Sequence, residues 1–102
     1  MPTRLVSVGL IPGYDKVDPT SDVDRFWENY RVRTVRWWFD DGSSTVQSFA
    51  DDRELQTVAV AVVTSSVSIE IIDVYDSDYP IGNPHRREFV PISEVELLGS
   101  PA

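Results

Sequence analysis

The stretch RVRTVRWWFDDGSSTVQSFA, residues 31–50, predicts a β-hairpin. In an extended strand the side chains alternate between two faces, an apolar one with Val35, Trp37 and Phe39 and a mixed one with Thr34, Arg36 and Trp38. Asp41-Gly42 is a typical turn dipeptide, and residues 45–50 resume the β-type pattern after it. The apolar face, together with Phe49, is therefore expected to enter a core, and Trp38 to point away from it.

The rest of the chain also favours strands over helices. Val, Ile and Thr supply 27 residues, against 10 for Ala, Leu and Met, and β-branched residues prefer a pleated surface. Four further strands are predicted, at residues 4–11, 57–63, 67–74 and 89–98. The break in alternation at Ile71-Ile72 indicates a bulge or a change from one-sided to two-sided burial, and we expect Val95 and Leu97 to point into the core from the last strand.

Between these strands the sequence predicts two long loops and almost no helix. The loops are residues 14–24 and 75–88, and residues 23–30 have the spacing of one or two helical turns. Short strands separated by turns, with no long helices between them, indicate an all-β fold built as an antiparallel β-sandwich. A length of 102 residues fits a single domain, residues 1–102.

Charge and composition exclude several classes of function. The formal net charge of −8 has the wrong sign for binding nucleic acid or anionic lipid headgroups. No apolar run is long enough for a membrane-spanning helix, so membrane insertion is not expected. The chain has no cysteine, which excludes disulfides and thiolate metal sites and leaves its compartment undetermined.

Catalytic chemistry has little support in the sequence. His85 is the single histidine and lies in a loop, without the spacing of a catalytic triad or a zinc-binding helix. No pair among the seventeen acidic residues stands out as a hydrolytic pair. The chain is therefore predicted not to be an enzyme.

The acidic loop has two interpretations. A structural calcium could be bound by hard oxygen ligands from Asp22 and Asp24 in the loop and Glu94 in the last strand. The alternative is a solvated acidic loop without metal, and the spacing does not match an EF-hand. No other cofactor is predicted.

The aromatic residues suggest a binding site for sugars. Trp38 is predicted on the outer strand face beside Arg36, and Tyr14, Tyr75 and Tyr79 lie in or beside the two loops. The C–H face of a pyranose stacks on an aromatic ring, and its hydroxyls need polar partners of the Asp, Asn or Arg type. The alternative is that these rings cover the edges of a small sandwich or an interface with another domain.

Two longer segments carry a family resemblance. IPGYDKVDPTSDVDRFWENYRVRTVRWWFDDGSSTVQSFADD, residues 11–52, and ISEVELLG, residues 92–99, resemble the discoidin-like module, related to the coagulation factor V/VIII type C domain, found in the translocation region of NAD glycohydrolase. The similarity extends over residues 5–99. It implies a galactose-binding-like jelly-roll sandwich that recognises glycans without catalysis.

The resemblance also implies where ligand binds. In such sandwiches the ligand meets loops at one end, which here correspond to residues 14–24 and Glu94. The long membrane-binding loops of some discoidin domains are missing, which argues against lipid binding. Joined to the aromatic pattern, this predicts the ligand contacts Tyr14, Asp15, Lys16, Asp18, Trp38, Tyr75, Tyr79 and Arg86.

The expected partner is a glycan or cell-surface carbohydrate, bound by a terminal module of a larger surface or secreted protein. An extracytoplasmic location would then come from the parent chain, since residues 1–12 do not resemble a signal peptide. The alternative is a structural domain that packs on its parent or on a partner protein without binding sugar.

Overall fold

The computed structural model describes residues 2–14 and 25–102. Within them the chain forms six strands and one short helix: β1 Thr3–Ile11, α1 Arg25–Glu28, β2 Arg31–Phe39, β3 Ser44–Ser48, β4 Gln56–Thr64, β5 Val67–Tyr75 and β6 Glu94–Pro101. The prediction of an all-β fold with one short helical turn is confirmed. The segment from residue 76 to residue 93 has neither helix nor strand. Its Pro, Gly and Asn content predicts a loop as far as residue 88, but the strand predicted at residues 89–98 begins only at Glu94.

The six strands form two antiparallel three-stranded sheets. One sheet has the order β4-β1-β6 and the other the order β3-β2-β5. The central strands of the two sheets are therefore β1 and β2, and β3, β4, β5 and β6 are edge strands. The short connection between β4 and β5 passes from one sheet to the other.

The predicted hairpin is present as β2 and β3, with Trp37 paired to Thr45 and Trp38 to Ser44. Its turn requires a glycine because Gly42 has a φ of 86°, in the left-handed region. The side chain and the backbone N–H of Ser43 both donate hydrogen bonds to Asp41 Oδ1. These bonds favour the ionised carboxylate and lower the pKa of Asp41.

One hydrophobic core lies between the two sheets. Its buried members come from both central strands and from the segment after β3: Leu5, Val8, Leu10, Val32, Val35, Trp37, Phe39 and Phe49. Because β1 and β2 belong to different sheets, the two sheets face each other across this cluster. The predicted inward face of the hairpin is confirmed.

Two details of the predicted strands have different outcomes. The bulge at Ile71-Ile72 is confirmed, since the β2–β5 register shifts where Val35 pairs with Ile71 and Thr34 with Asp73. The prediction that Val95 and Leu97 are buried is wrong, because both are 47% exposed. They lie on an edge strand that the opposite sheet does not cover.

Gly9 allows β4 to lie close to β1. A Cβ added at Gly9 would lie 2.5 Å from the Gln56 carbonyl oxygen and 2.6 Å from Thr57 Cγ2. We therefore expect Gly9→Ala to destabilise the fold by about 1–3 kcal/mol, as overpacking does elsewhere. Urea unfolding measures this change, with Ala59→Ser, at an exposed position of β4, as the control; an unchanged midpoint for Gly9→Ala would contradict it.

No helix in the described parts of the chain has the length and apolar character needed to cross a membrane.

Candidate functional site

Trp38 is the aromatic residue most openly placed on a sheet. It lies on the outer face of β2 between Ser44 of β3 and Ser68 of β5, and its side chain is 38% exposed. Both neighbours are small and polar, so neither covers the indole. This placement follows from the alternation in the hairpin, which directs Trp37 inward and Trp38 outward.

Two charged residues hold the indole in place. Its Nε1–H donates a hydrogen bond of 2.9 Å to Glu70 Oε1 on β5. The Arg36 guanidinium lies 5.4 Å from the centre of the Trp38 ring, at a cation–π distance. Arg36 and Glu70 are directly opposite each other in the strand register, so the three side chains form one group. We call Arg36, Trp38 and Glu70 the sheet-face site.

The sheet-face site has an unused hydrogen-bond donor. Arg36 Nε is buried and has no hydrogen-bond partner among the residues that the structure describes. Val46, opposite Arg36 on β3, is half exposed and adds an apolar surface beside it. The site thus combines an aromatic ring, a carboxylate and a guanidinium on an open sheet surface.

Tyr75, Tyr79 and Arg86 lie at the opposite end of this sheet. Tyr75 pairs with Arg31 at the start of β2, whereas Trp38 is near its end. The seven residue-to-residue steps from Arg31 to Trp38 span about 23 Å in an extended strand. Trp38 and Tyr75 therefore cannot contact one monosaccharide together.

Arg86 is held by several acceptors at that end. Its guanidinium donates to the Tyr79 carbonyl oxygen at 2.8 Å, to Asp76 Oδ1 at 2.8 Å and, over 3.3 Å each, to Tyr30 Oη and Glu88 Oε1. Its side chain is only 10% exposed. Burial alone would lower the pKa of Arg86, but the hydrogen bonds that it donates to Tyr30, Glu88 and Asp76 raise its pKa overall.

The predicted tyrosines have different surroundings. Tyr75 Oη donates to the Phe49 carbonyl oxygen at 2.8 Å, which ties β5 to the end of the hairpin. The Tyr79 ring lies 5.3 Å from the ring of His85, and His85 Nδ1 is 3.4 Å from Glu28 Oε2. Tyr14 is exposed. Tyr79 and Arg86 are therefore brought together, and Trp38 is separate from them.

Arg31 connects three segments at the end of the sheet where Tyr75, Tyr79 and Arg86 lie, which we call the loop end. It is buried, and it pairs with Asp51 at 2.8 Å and with Asp78 at 3.1 Å. Its guanidinium also lies 4.8 Å from the centre of the Trp27 ring in α1. Burial acts to lower the pKa of Arg31, but the two carboxylates raise it overall.

The structure describes only one of the three predicted calcium ligands, Glu94. Asp15, Lys16, Asp18, Asp22 and Asp24 lie outside the described residues, and Glu94 is exposed at the start of β6. Across residues 2–14 and 25–102, no group of three or more His, Cys, Asp or Glu side chains is arranged to hold a metal. Calcium binding stays a prediction.

Two clefts of the described chain lie away from the tyrosines. One of about 210 Å³ lies along β1 and β4, beside the β1 bulge at Val6. Another, of about 380 Å³, is lined by the start of β5 and by Leu5 and Leu97. Neither of these two clefts contains Trp38, Tyr79 or Arg86.

No family model, no curated protein and no solved structure matches this chain.

Sequence reasoning did not single out Glu70, Tyr30 or Asp76, although each holds a predicted contact residue in place. Alternation in β5 puts Glu70 on the same face as Ser68, so the sequence pattern could have indicated that Glu70 points outward. Its pairing with Arg36 depends on which strands are neighbours. A single sequence does not specify that pairing, because β2 and β5 are far apart along the chain.

Proposed function

We propose that this protein is a non-catalytic carbohydrate-binding module that binds glycan on the outer face of the β3-β2-β5 sheet, at the sheet-face site. The observation that carries the proposal is the half-exposed indole of Trp38, oriented by Glu70 and Arg36. An aromatic ring of fixed orientation loses little freedom when a sugar stacks on it.

The polar neighbours supply what the sugar hydroxyls need. Glu70 is an exposed acceptor with spare lone pairs, and the partly buried Arg36 guanidinium beside it carries further N–H donors besides its buried Nε. Sugar hydroxyls both donate and accept, so the pair can satisfy neighbouring hydroxyls of one ring. The open surface fits a shallow, weak site, with a dissociation constant on the order of 0.1–1 mM.

The finer fold assignment belongs to the same proposal. We place the chain in the discoidin-like, galactose-binding-like jelly-roll class, as a module of a surface or secreted protein. Its two facing antiparallel sheets, with the short helix α1 between β1 and β2, support this placement. An experimental structure with additional strands completing a jelly roll would test it.

Replacing Trp38 by alanine should weaken saccharide binding at least tenfold. Calorimetric titration with galactose, glucose, mannose and N-acetylglucosamine at millimolar concentrations identifies the sugar, and the variant is then titrated with it. Trp38→Phe, which keeps a stacking ring, should retain more affinity than Trp38→Ala. Both variants should fold, since the side chain lies on the surface.

Tyr79→Ala is the matched test of the loop end. If Tyr79→Ala abolishes binding while Trp38→Ala does not, sugar binds at the loops and the sheet-face assignment is wrong. If none of a broad panel of saccharides binds the unaltered protein at millimolar levels, the carbohydrate proposal itself fails.

A second candidate function, docking on another protein, is favoured by a different observation. Apolar side chains on two of the edge strands, β5 and β6, are about half exposed: Ile71, Ile72, Val95, Leu97 and Leu98. Apolar residues grouped at strand edges are typical of interaction surfaces. This function needs no sugar and involves none of the sheet-face site.

A further inference from the structure

The core-side face of strand β6 is only partly covered by the opposite sheet. Val95 pairs with Leu10 and Leu97 with Val8, so all four side chains lie on the core side of the sheet. Leu10 and Val8 are fully buried, whereas Val95 and Leu97 are 47% exposed. The layer that covers β1 therefore ends before β6.

The backbone of β6 is also available for pairing. In the described chain β6 pairs only with β1, which leaves the N–H and C=O groups of its other edge without a strand partner. Such an edge can accept an added strand. A strand added there would direct its core-side residues next to Val95 and Leu97.

A cleft opens beside this edge. Its apolar lining comes from Leu5, Val67 and Leu97, with Thr3, Ser65 and Ser66 at its polar parts, and its volume is about 380 Å³. Leu97 belongs to both the cleft and the exposed edge. An apolar side chain from an added strand can therefore enter the gap between the two sheets, as a buried anchor does in many interfaces.

The charges on β6 have one sign. This strand contains Glu94 and Glu96 and no Lys or Arg, whereas Glu70 and Asp73 of β5 are opposed by Arg36 and Arg33 of β2. A second copy would bring another pair of glutamates to this edge and would join two chains of net charge −8. A basic segment would instead be attracted and held in register.

We propose that the free edge of β6 binds an extended segment of a partner protein in which apolar and basic residues alternate. The segment joins the β4-β1-β6 sheet as a fourth strand. Its apolar residues cover Val95 and Leu97 and fill the cleft, and its Lys or Arg residues lie on the other face, beside Glu94 and Glu96.

The test uses the full chain and two synthetic peptides of eight residues. One alternates Val with Lys and has a central Phe, and the other replaces each Lys by Glu. Isothermal titration should show binding of the lysine peptide at least tenfold tighter than of the glutamate peptide. Raising the salt from 50 to 500 mM should weaken that binding, because the charges lie at the surface.

Variants locate the binding edge. Glu96→Lys reverses one charge of the edge, and Leu97→Ser removes the apolar contact; each should weaken binding of the lysine peptide at least fivefold. Ala59→Lys places a similar charge on β4, the opposite edge of the same sheet, and should leave binding unchanged. Circular dichroism checks folding, and Glu96→Lys keeps the test valid if Leu97→Ser does not fold.

Three results would overturn the proposal. The first is that the two peptides bind equally well or that neither binds. The second is that Ala59→Lys weakens binding as much as Glu96→Lys does. The third is that the protein is a dimer in sedimentation equilibrium and that Leu97→Ser dissociates it. The last result would mean that a second copy occupies the edge.

Discussion

Replacing Trp37 by alanine should lower the free energy of unfolding by about 3–5 kcal/mol, the usual cost of removing a buried aromatic side chain. Trp37 has no exposed surface and belongs to the core between the two sheets. Its Nε1–H also donates to Gln47 Oε1 at 2.9 Å, and Gln47 Nε2 donates to the Gln56 carbonyl oxygen. The substitution therefore leaves a cavity and removes the donor for a buried amide.

Urea or thermal unfolding measures this effect, and Trp38→Ala is the matched control. The control removes the same side chain from the next residue of the same strand, but from the outer face. A domain of about this size loses roughly 4–8 °C of melting temperature per kcal/mol. Trp37→Ala should thus reduce the melting temperature by more than 10 °C, and equal effects of the two variants would mean that the assignment of strand faces is wrong.

Replacing Arg31 by alanine should cost about 2–3 kcal/mol of stability. Its buried guanidinium connects Asp51 after β3, Asp78 after β5 and the Trp27 ring in α1. Breaking a fully buried ion pair costs roughly 3–5 kcal/mol, and we expect less because both carboxylates are partly exposed to water. The loss should be local as well, with faster amide exchange in α1 and residues 76–89.

The control for Arg31 is Arg33→Ala in the same strand. Arg33 and its partner Asp73 are both more than half exposed and 3.6 Å apart, so this variant should change stability by less than about 1 kcal/mol. Unfolding midpoints of the two variants and hydrogen exchange followed by mass spectrometry provide the comparison. If Arg31→Ala matched Arg33→Ala in both measurements, the loop end would not depend on Arg31.

Local patterns in the sequence were enough to predict most of the strands. The hairpin of residues 31–50 was correct in its turn, its faces and its buried residues, because alternation and the Asp-Gly turn are local properties. The bulge at Ile71-Ile72 was also readable, as a break in alternation. The position of one predicted ligand contact could be derived in the same way, because alternation alone predicts that Trp38 lies on the outer face of β2.

The last strand shows where local reasoning fails. Alternation put Val95 and Leu97 on the correct side of the sheet, facing the same way as Leu10 and Val8. It did not show that β6 is an edge strand beyond the cover of the opposite sheet. Burial depends on what lies across from a residue, and that residue comes from a distant part of the chain.

The sequence by itself determined the strand character, the two faces of the hairpin and the acidic charge, because each depends on neighbouring residues or on composition. Only the tertiary structure decided that Glu70 lies next to Trp38, that Arg86 and Tyr79 lie about one strand length away from them, and that β6 is left half covered. These placements depend on which strands pair and which faces oppose. They are chosen by packing of the whole chain, and no short segment carries that information.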